Sequence, residues 1–156
     1  MNGRVLSLVV VLAAGGFFVT HDALSQSTAP ATRRVINLPD DNAQLPFSGA
    51  ILAGNTLYLS GRIGIDSKTG KAPAEIDDEI KLLLDRVKAT LTASGMAMDD
   101  LVYVQVACTD LALYDKFNAA YRSYFTTKEF PAREFIGVAS LLRGGHFELQ
   151  AIAVKR

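Results

Sequence analysis

The stretch Phe130-Pro131-Ala132-Arg133, followed by Glu134-Phe135-Ile136-Gly137-Val138-Ala139, determines how the C-terminal half of the chain is interpreted. Proline fixes its own φ and biases the preceding residue towards extended conformations. We therefore predict a strand with a stiff entry, from which Arg133 leaves in a defined direction. A guanidinium held in this way suits two-point recognition of a carboxylate or phosphate, and a structural ion pair is the alternative interpretation.

Alternating apolar and polar residues predict five further strands. They are Arg33–Leu38, Phe47–Leu52, Thr56–Ser60, Leu101–Thr109 and His146–Val154. Gly54-Asn55 predicts a hairpin turn between the second and third of these. The alternation places Val102 on the apolar face of its strand, with Val104, Val106 and Cys108. In the last strand it places Glu148 on the face opposite Phe147 and Leu149.

Helical spacing of apolar residues predicts two helices. The first begins at Asp77 or Asp78, as capping residues, and runs to about Ser94, where Gly95 ends it. Its apolar stripe consists of Ile80, Leu83, Leu84, Val87 and Leu91. The second helix covers Leu113–Phe125 and carries Asn118 beside its apolar face.

The first 25 residues have the pattern of a secretory signal peptide. Arg4 precedes an apolar run over Val5–Val19, and Ala23-Leu24-Ser25 fits the small-x-small rule for cleavage. The run is shorter than the roughly 20 residues that span a bilayer. We expect a secreted or periplasmic protein with a mobile tether over residues 26–32 and a single domain over 33–156. The intact mass of protein from its host should show a start at Gln26; a cytosolic chain beginning at Met1 would contradict this.

Composition limits the functions that the chain can serve. Lys+Arg and Asp+Glu number 16 each, so no net charge attracts the chain to nucleic acid. The single cysteine, Cys108, excludes an intramolecular disulfide and suits a small core residue. Two histidines and one cysteine form no metal-ligand cluster.

Individually, the polar residues near strand ends have ordinary explanations. Ser60-Gly61 suits a turn, and His146 suits a solvated strand end. Glu148 lies between apolar residues, where a carboxylate is costly unless it is paired or exposed. A solvent-facing strand position and a functional carboxylate are both compatible with this pattern.

Together, these residues resemble a known family. The elements Ser60-Gly61-Arg62-Ile63, Lys68-Thr69-Gly70, Asn118, Phe130-Pro131-Ala132-Arg133 and Glu148–Val154 occur in the order found in the Rid (reactive intermediate deaminase, YjgF) family. The resemblance extends from Pro46 to Arg156. It implies an α+β, chorismate-mutase-like domain, in which a mixed sheet packs on two helices, and a barrel-like homotrimer with a cleft at each subunit interface. It also implies cofactor-independent hydrolysis of 2-enamine and 2-imine acids to 2-keto acids and ammonia.

The resemblance also implies roles for individual residues. Arg133 would hold the substrate carboxylate, Glu148 would act on the attacking water, and Ser60 with Gly61 would fix the orientation of the substrate. Asn118 would line the cleft, as would Phe47 and Phe135, which replace a tyrosine and a cysteine common in active members.

Phe47 removes a hydroxyl from the cleft and Phe135 adds a ring, which leaves the substrate open, and the resemblance leaves two other functions open. One is a non-catalytic trimer that binds small molecules, and the other is a chaperone-like interaction protein. Some family members have ribonuclease activity, which zero net charge disfavours. We expect neither a nucleic-acid partner nor, after signal cleavage, attachment to a membrane.

Overall fold

The computed structural model describes residues 32–156. The predicted signal peptide and all of the predicted tether except Thr32 lie outside the described residues. The strands are β1 (Arg33–Ile36), β2 (Ala50–Ala53), β3 (Thr56–Ile63), β4 (Leu101–Cys108), β5 (Ala132–Gly137) and β6 (Phe147–Val154). The helices are α1 (Ile76–Ala93) and α2 (Tyr114–Arg122).

The six strands form one mixed sheet in the order β1-β2-β3-β6-β4-β5. Strands β4 and β5 are parallel, and the other neighbours are antiparallel. The two helices cover one face of this sheet, so the predicted α+β class is confirmed. Among residues 32–156, neither helix combines the length and apolar character needed to cross a membrane.

Helix α1 forms because its apolar residues recur at helical spacing, and the predicted stripe of five residues is fully buried. The predicted start was slightly wrong. The helix begins at Ile76 with Glu75 as its N-cap, so Asp77 and Asp78 lie within the first turn. Their carboxylates still interact favourably with the positive end of the helix dipole. Gly95 ends the helix at a φ of 74°, as predicted.

Helix α2 is shorter than predicted at both ends. Leu113 belongs to a 3₁₀ turn over Leu111–Leu113, in which the Asp110 carboxylate accepts from the Ala112 N–H. The other end stops at Ser123, before the predicted limit at Phe125. Apolar spacing extends past both ends because Leu113 and Phe125 still pack against the core without being helical.

The predicted orientation of Val102 is wrong because β4 has an irregular register against β6 between Leu101 and Tyr103. An irregularity of this kind breaks the two-residue alternation of side chains. Leu101 is consequently buried, and Val102 is 46% exposed. From Val104 to Cys108 the predicted alternation holds.

A second irregularity interrupts the pairing of β3 with β6. Leu59 pairs with Ala151 and Arg62 with Leu149, so Ser60 and Gly61 together oppose one residue of β6. Bulges of this type change the direction of side chains and recur beside functional sites. Strand β3 continues through this bulge to Ile63, whereas the prediction ended it at Ser60. Ser60-Gly61 is therefore part of a strand and is not a turn.

An ion pair fastens the loop before β2 to the end of β3. Arg62 donates through Nη1 and Nη2 to the Asp41 carboxylate, at 2.6 and 2.9 Å, and both side chains are nearly buried. Burial acts to raise the pKa of Asp41. Hydrogen bonds from Arg62 and the Leu38 N–H, with the charges of Arg62 and Arg86, outweigh it, so the pKa lies below its usual value of 3.8.

A carboxyl group whose pKa is lowered by folding stabilises the protein above its unfolded pKa, and this contribution is lost as pH falls through the folded pKa. Asp41→Asn should therefore lower the free energy of unfolding at pH 7, and the difference from wild type should shrink below about pH 3.8. Urea denaturation at several pH values measures this. Glu129→Gln, at an exposed position outside the helices and strands, is the control and should show no such difference. A difference in unfolding free energy between wild type and Asp41→Asn that persists at pH 2 would contradict the lowered pKa of Asp41.

Candidate functional site

Arg133 is held by contacts to helix α2. Its Nη2 donates to the Asn118 side-chain oxygen at 2.6 Å. Its guanidinium carbon lies over three rings, 4.9 Å from the centroid of Tyr121 and 5.7 Å from those of Tyr114 and Phe135. Aromatic faces attract cations and stack on the planar guanidinium. The stiff entry into β5 and these contacts together fix the side chain.

No ion pair within residues 32–156 involves Arg133. The alternative interpretation of Arg133 as half of a structural ion pair is therefore wrong for the described chain. The guanidinium instead faces a surface depression of about 310 Å³. The depression is lined by Tyr114, Asn118, Tyr121, Arg122, Phe130, Pro131 and Arg133. Only one N–H of Arg133 is used by Asn118, so its other donors remain for a ligand.

Phe135 lies behind this depression and does not line it. Its ring packs edge-on against Tyr114, with 5.0 Å between centroids, and against Phe117, at 5.6 Å. A ring at this position therefore supports the wall that holds Arg133. Phe135 was predicted to contact a ligand, but it is not among the residues that line the depression.

Tyr121 lies on α2 and was not predicted as a site residue. Its side chain is buried, but its hydroxyl has no hydrogen-bond partner in the described chain. Burial raises the pKa of this phenol to about 12, although the positive charge of Arg133 acts in the opposite direction. The hydroxyl is therefore a neutral donor near a cation.

A second group of predicted site residues gathers around the β3 bulge. The Ser60 hydroxyl donates to the Gly49 carbonyl at 2.9 Å, and the Ser60 N–H reaches the same oxygen. The Gly49 N–H in turn donates to the Asn37 side chain. Phe47 lies on the same loop, before β2 begins, and is 57% exposed. Together with Gly49 and Arg62 it lines a second depression of about 380 Å³.

The Glu148 side chain extends across Gly61. A β-carbon built on Gly61 would collide with the Glu148 carboxylate, so the absence of a side chain at position 61 creates the space for this carboxylate. Within residues 32–156 the carboxylate forms no ion pair. Glu148 is thus a neighbour of Gly61, which follows Ser60 in the β3 bulge.

The structure does not bring Arg133 and Glu148 together within one chain. Arg133 pairs with Val104, which pairs with Ala151, and both of these are buried beneath the helices. Glu148 lies three residues before Ala151 on β6, and side chains an odd number apart point to opposite faces. Arg133 and Asn118 therefore lie on the helix side of the sheet, and Glu148 lies on the other side.

A buried carboxylate beside β6 was not predicted. Glu79 has no exposed side-chain area and accepts from the backbone N–H groups of His146 and Phe147. Its Oε2 lies 2.7 Å from the His146 Nδ1, so His146 is not simply a solvated strand end. The pair fastens the first turn of α1 to the start of β6. Within residues 32–156, no three His, Cys, Asp or Glu side chains are placed to hold a metal ion.

Comparisons with known proteins agree on one family. The family model described as Endoribonuclease L-PSP matches residues 39–155. The 2-iminobutanoate/2-iminopropanoate deaminase of Escherichia coli strain K12 is 36% identical over 113 residues, which is 71% of this chain and 88% of that relative.

Solved structures give the same result. The structure of the YjgF gene product from E. coli has a TM-score of 0.72 and 34% identity, and the match covers 79% of this chain and 99% of that one. The structure of E. coli TdcF with bound serine has a TM-score of 0.73 and 29% identity, with coverage of 79% and 99%.

Two glycine substitutions separate a side-chain collision from a backbone collision. Gly61→Ala should displace the flexible Glu148 side chain and cost less than about 1 kcal/mol of unfolding free energy. Gly64→Ala, the matched control, places its β-carbon against the Glu79 backbone carbonyl and should cost about 2 kcal/mol or more. Chemical denaturation measures both values, and a crystal structure of Gly61→Ala shows the position of Glu148. Equal destabilisation, or an unmoved carboxylate, would contradict the described contact.

Proposed function

The chain belongs to the Endoribonuclease L-PSP family, also called the Rid or YjgF family, and on this premise we propose that it hydrolyses 2-imino and 2-enamino acids to 2-keto acids and ammonia. The observation that carries the proposal is the Arg133 guanidinium, which is fixed by Asn118 and aromatic rings but has no ion-pair partner in the described chain. The naming of the E. coli relative as an imine deaminase supports the same reaction.

The substrate carboxylate is the group that Arg133 suits. Two parallel N–H donors of a guanidinium match the two oxygens of a carboxylate, and the charge strengthens both hydrogen bonds. Asn118 orients the guanidinium by taking one N–H at 2.6 Å. The bound serine described for E. coli TdcF, which carries an α-carboxylate, is compatible with this role.

Glu148 is proposed to act on water. An imino acid has an electrophilic carbon next to its carboxylate. Glu148 accepts a proton from water as the new C–O bond forms at this carbon and the C=N bond becomes a single bond. It returns this proton to the nitrogen and then transfers the proton of the new hydroxyl group to the same nitrogen, so that the C=O bond forms, the C–N bond breaks, and ammonia leaves with a keto acid as the other product. Gly61 lies beside Glu148, and we propose that Ser60 and the Gly61 N–H fix the orientation of the substrate.

A second copy of the chain is proposed to complete each site. Arg133 and Glu148 lie on opposite faces of the sheet, so the Glu148 that faces an Arg133 must come from another subunit. The helices cover only one face, and the other carries half-exposed Tyr58 and the Gln105–Gln150 hydrogen bond. A homotrimer, with Arg133 of one subunit beside Glu148 of the next, would bring these two residues together and cover the second face of the sheet.

Phe47 supports one alternative function. This exposed ring stands where many active members have a tyrosine, so a hydroxyl is absent beside Ser60. A protein that binds keto acids without hydrolysing imines would match this difference. Binding and turnover must therefore be measured separately.

Substitution of Arg133 tests the proposal. Arg133→Ala should lower kcat/KM for imino acids by roughly 30- to 1000-fold, which corresponds to about 2–4 kcal/mol for truncating one partner of a buried charge pair. Arg133→Lys should recover little of this loss, because an ammonium lacks the planar fork. Glu148→Gln should reduce kcat while binding of a keto acid persists. An assay in which an amino acid oxidase generates the imine measures turnover.

The control for these variants is Arg34→Ala, at an exposed position of β1. Its kinetics should match those of wild type. Circular dichroism and size measurement must show that every variant keeps its fold and assembly. Wild-type rates for Arg133→Ala would refute the carboxylate assignment, and keto-acid binding without any turnover by the wild type would favour the binding function.

A further inference from the structure

The proposed reaction leaves one unusual feature of the Arg133 depression without a role. Within residues 32–156, only Arg62 Nε and the Tyr121 hydroxyl are buried side-chain polar atoms without a hydrogen-bond partner. The great majority of buried polar groups in proteins are hydrogen-bonded, and leaving one unpaired costs free energy. A partner from outside the described chain is therefore expected for Tyr121.

The position of Tyr121 indicates what this partner is. Its ring lies under the Arg133 guanidinium, 4.9 Å from the guanidinium carbon, and it lines the same depression. Asn118, which accepts from Arg133, lies one helical turn earlier on α2. A ligand group that binds the Arg133 guanidinium therefore lies next to the Tyr121 side chain.

Because the Tyr121 hydroxyl stays protonated, the expected partner is a hydrogen-bond acceptor. With a pKa raised to about 12, the phenol keeps its proton throughout the neutral range and can donate to an anion. A carboxylate accepts about four hydrogen bonds, and the fork of one arginine supplies two of them. The Tyr121 ring lies beside the guanidinium, 4.9 Å from its central carbon, and its unpartnered hydroxyl can supply a further hydrogen bond.

Building on the proposed function, we infer that Tyr121 is a substrate-binding residue whose hydroxyl donates to the carboxylate held by Arg133. Its contact is the same in substrate, transition state and keto-acid product, because the carboxylate does not react. Tyr121 therefore contributes uniform binding, which changes KM and leaves kcat nearly unaltered.

Tyr121→Phe removes only the hydroxyl and tests this inference. KM for the imino acid should rise about 10- to 100-fold, with kcat within about threefold of wild type, since a hydrogen bond to a charged group is lost. The dissociation constant of 2-oxobutanoate, measured by titration calorimetry, should rise by a similar factor. The unfolding midpoint should stay the same or increase, because the chain itself offers the hydroxyl no partner.

The matched control is Tyr124→Phe, three residues further along the chain. The Tyr124 hydroxyl donates to the Asp85 carboxylate at 2.8 Å, so its removal should lower the unfolding midpoint and leave KM unchanged. An unchanged KM and dissociation constant for Tyr121→Phe would overturn the inference. So would a loss of assembly with unchanged KM, because the hydroxyl partner would then belong to a second subunit.

The same measurements separate this inference from the proposed function. If the wild type neither binds 2-oxobutanoate nor hydrolyses imines, the proposed function fails and the role of Tyr121 fails with it. If the wild type does both and Arg133→Ala abolishes binding, an effect of Tyr121→Phe supports the hydroxyl contact. The absence of an effect under those conditions overturns the role of Tyr121 alone.

Discussion

Side chains on successive residues of a strand point to opposite faces of the sheet, and this constraint separates Arg133 from Glu148. Arg133 shares its face with the buried Val104 and Ala151, while Glu148 is an odd number of residues from Ala151. No rotamer change can bring the guanidinium and the carboxylate of one chain to the same side of an intact sheet. A site that uses both residues therefore requires two chains, and the proposed reaction depends on assembly.

Each half of the proposed site is supported locally before any second chain arrives. Asn118 and three aromatic rings hold the Arg133 guanidinium, so little side-chain freedom remains to be lost on binding. On the other face, Gly61 leaves room for the Glu148 carboxylate at the β3 bulge. Loop contacts through Gly49 and the Asp41–Arg62 pair fasten the segment that carries Phe47. In the proposed reaction, the first of these preorganised halves binds the substrate carboxylate and the second acts on water.

Periodicity was sufficient to predict the individual strands and helices, the buried stripe of α1 and the face on which Glu148 lies, because these depend on residues within one element; the α+β class followed from the family resemblance. It failed at Val102, where an irregularity in the register of two strands reverses the side chains. The Glu79–His146 pair and the unpaired Tyr121 hydroxyl were also missed. The first joins residues 67 positions apart, and the second is defined by the absence of a contact. Family resemblance supplied the candidate residues, but only the sheet register shows how they are divided between faces.

Complementation between inactive variants is the most direct measurement of the two-chain site. Arg133→Ala and Glu148→Gln subunits, mixed in equal amounts and reassembled, form some interfaces where an intact Arg133 meets an intact Glu148. Random mixing in a cyclic trimer makes about one quarter of the interfaces intact, so about one quarter of wild-type imine hydrolysis should return. Each variant reassembled alone should keep only its own reduced activity. A mixture that is no more active than its separate components would contradict a site shared between subunits.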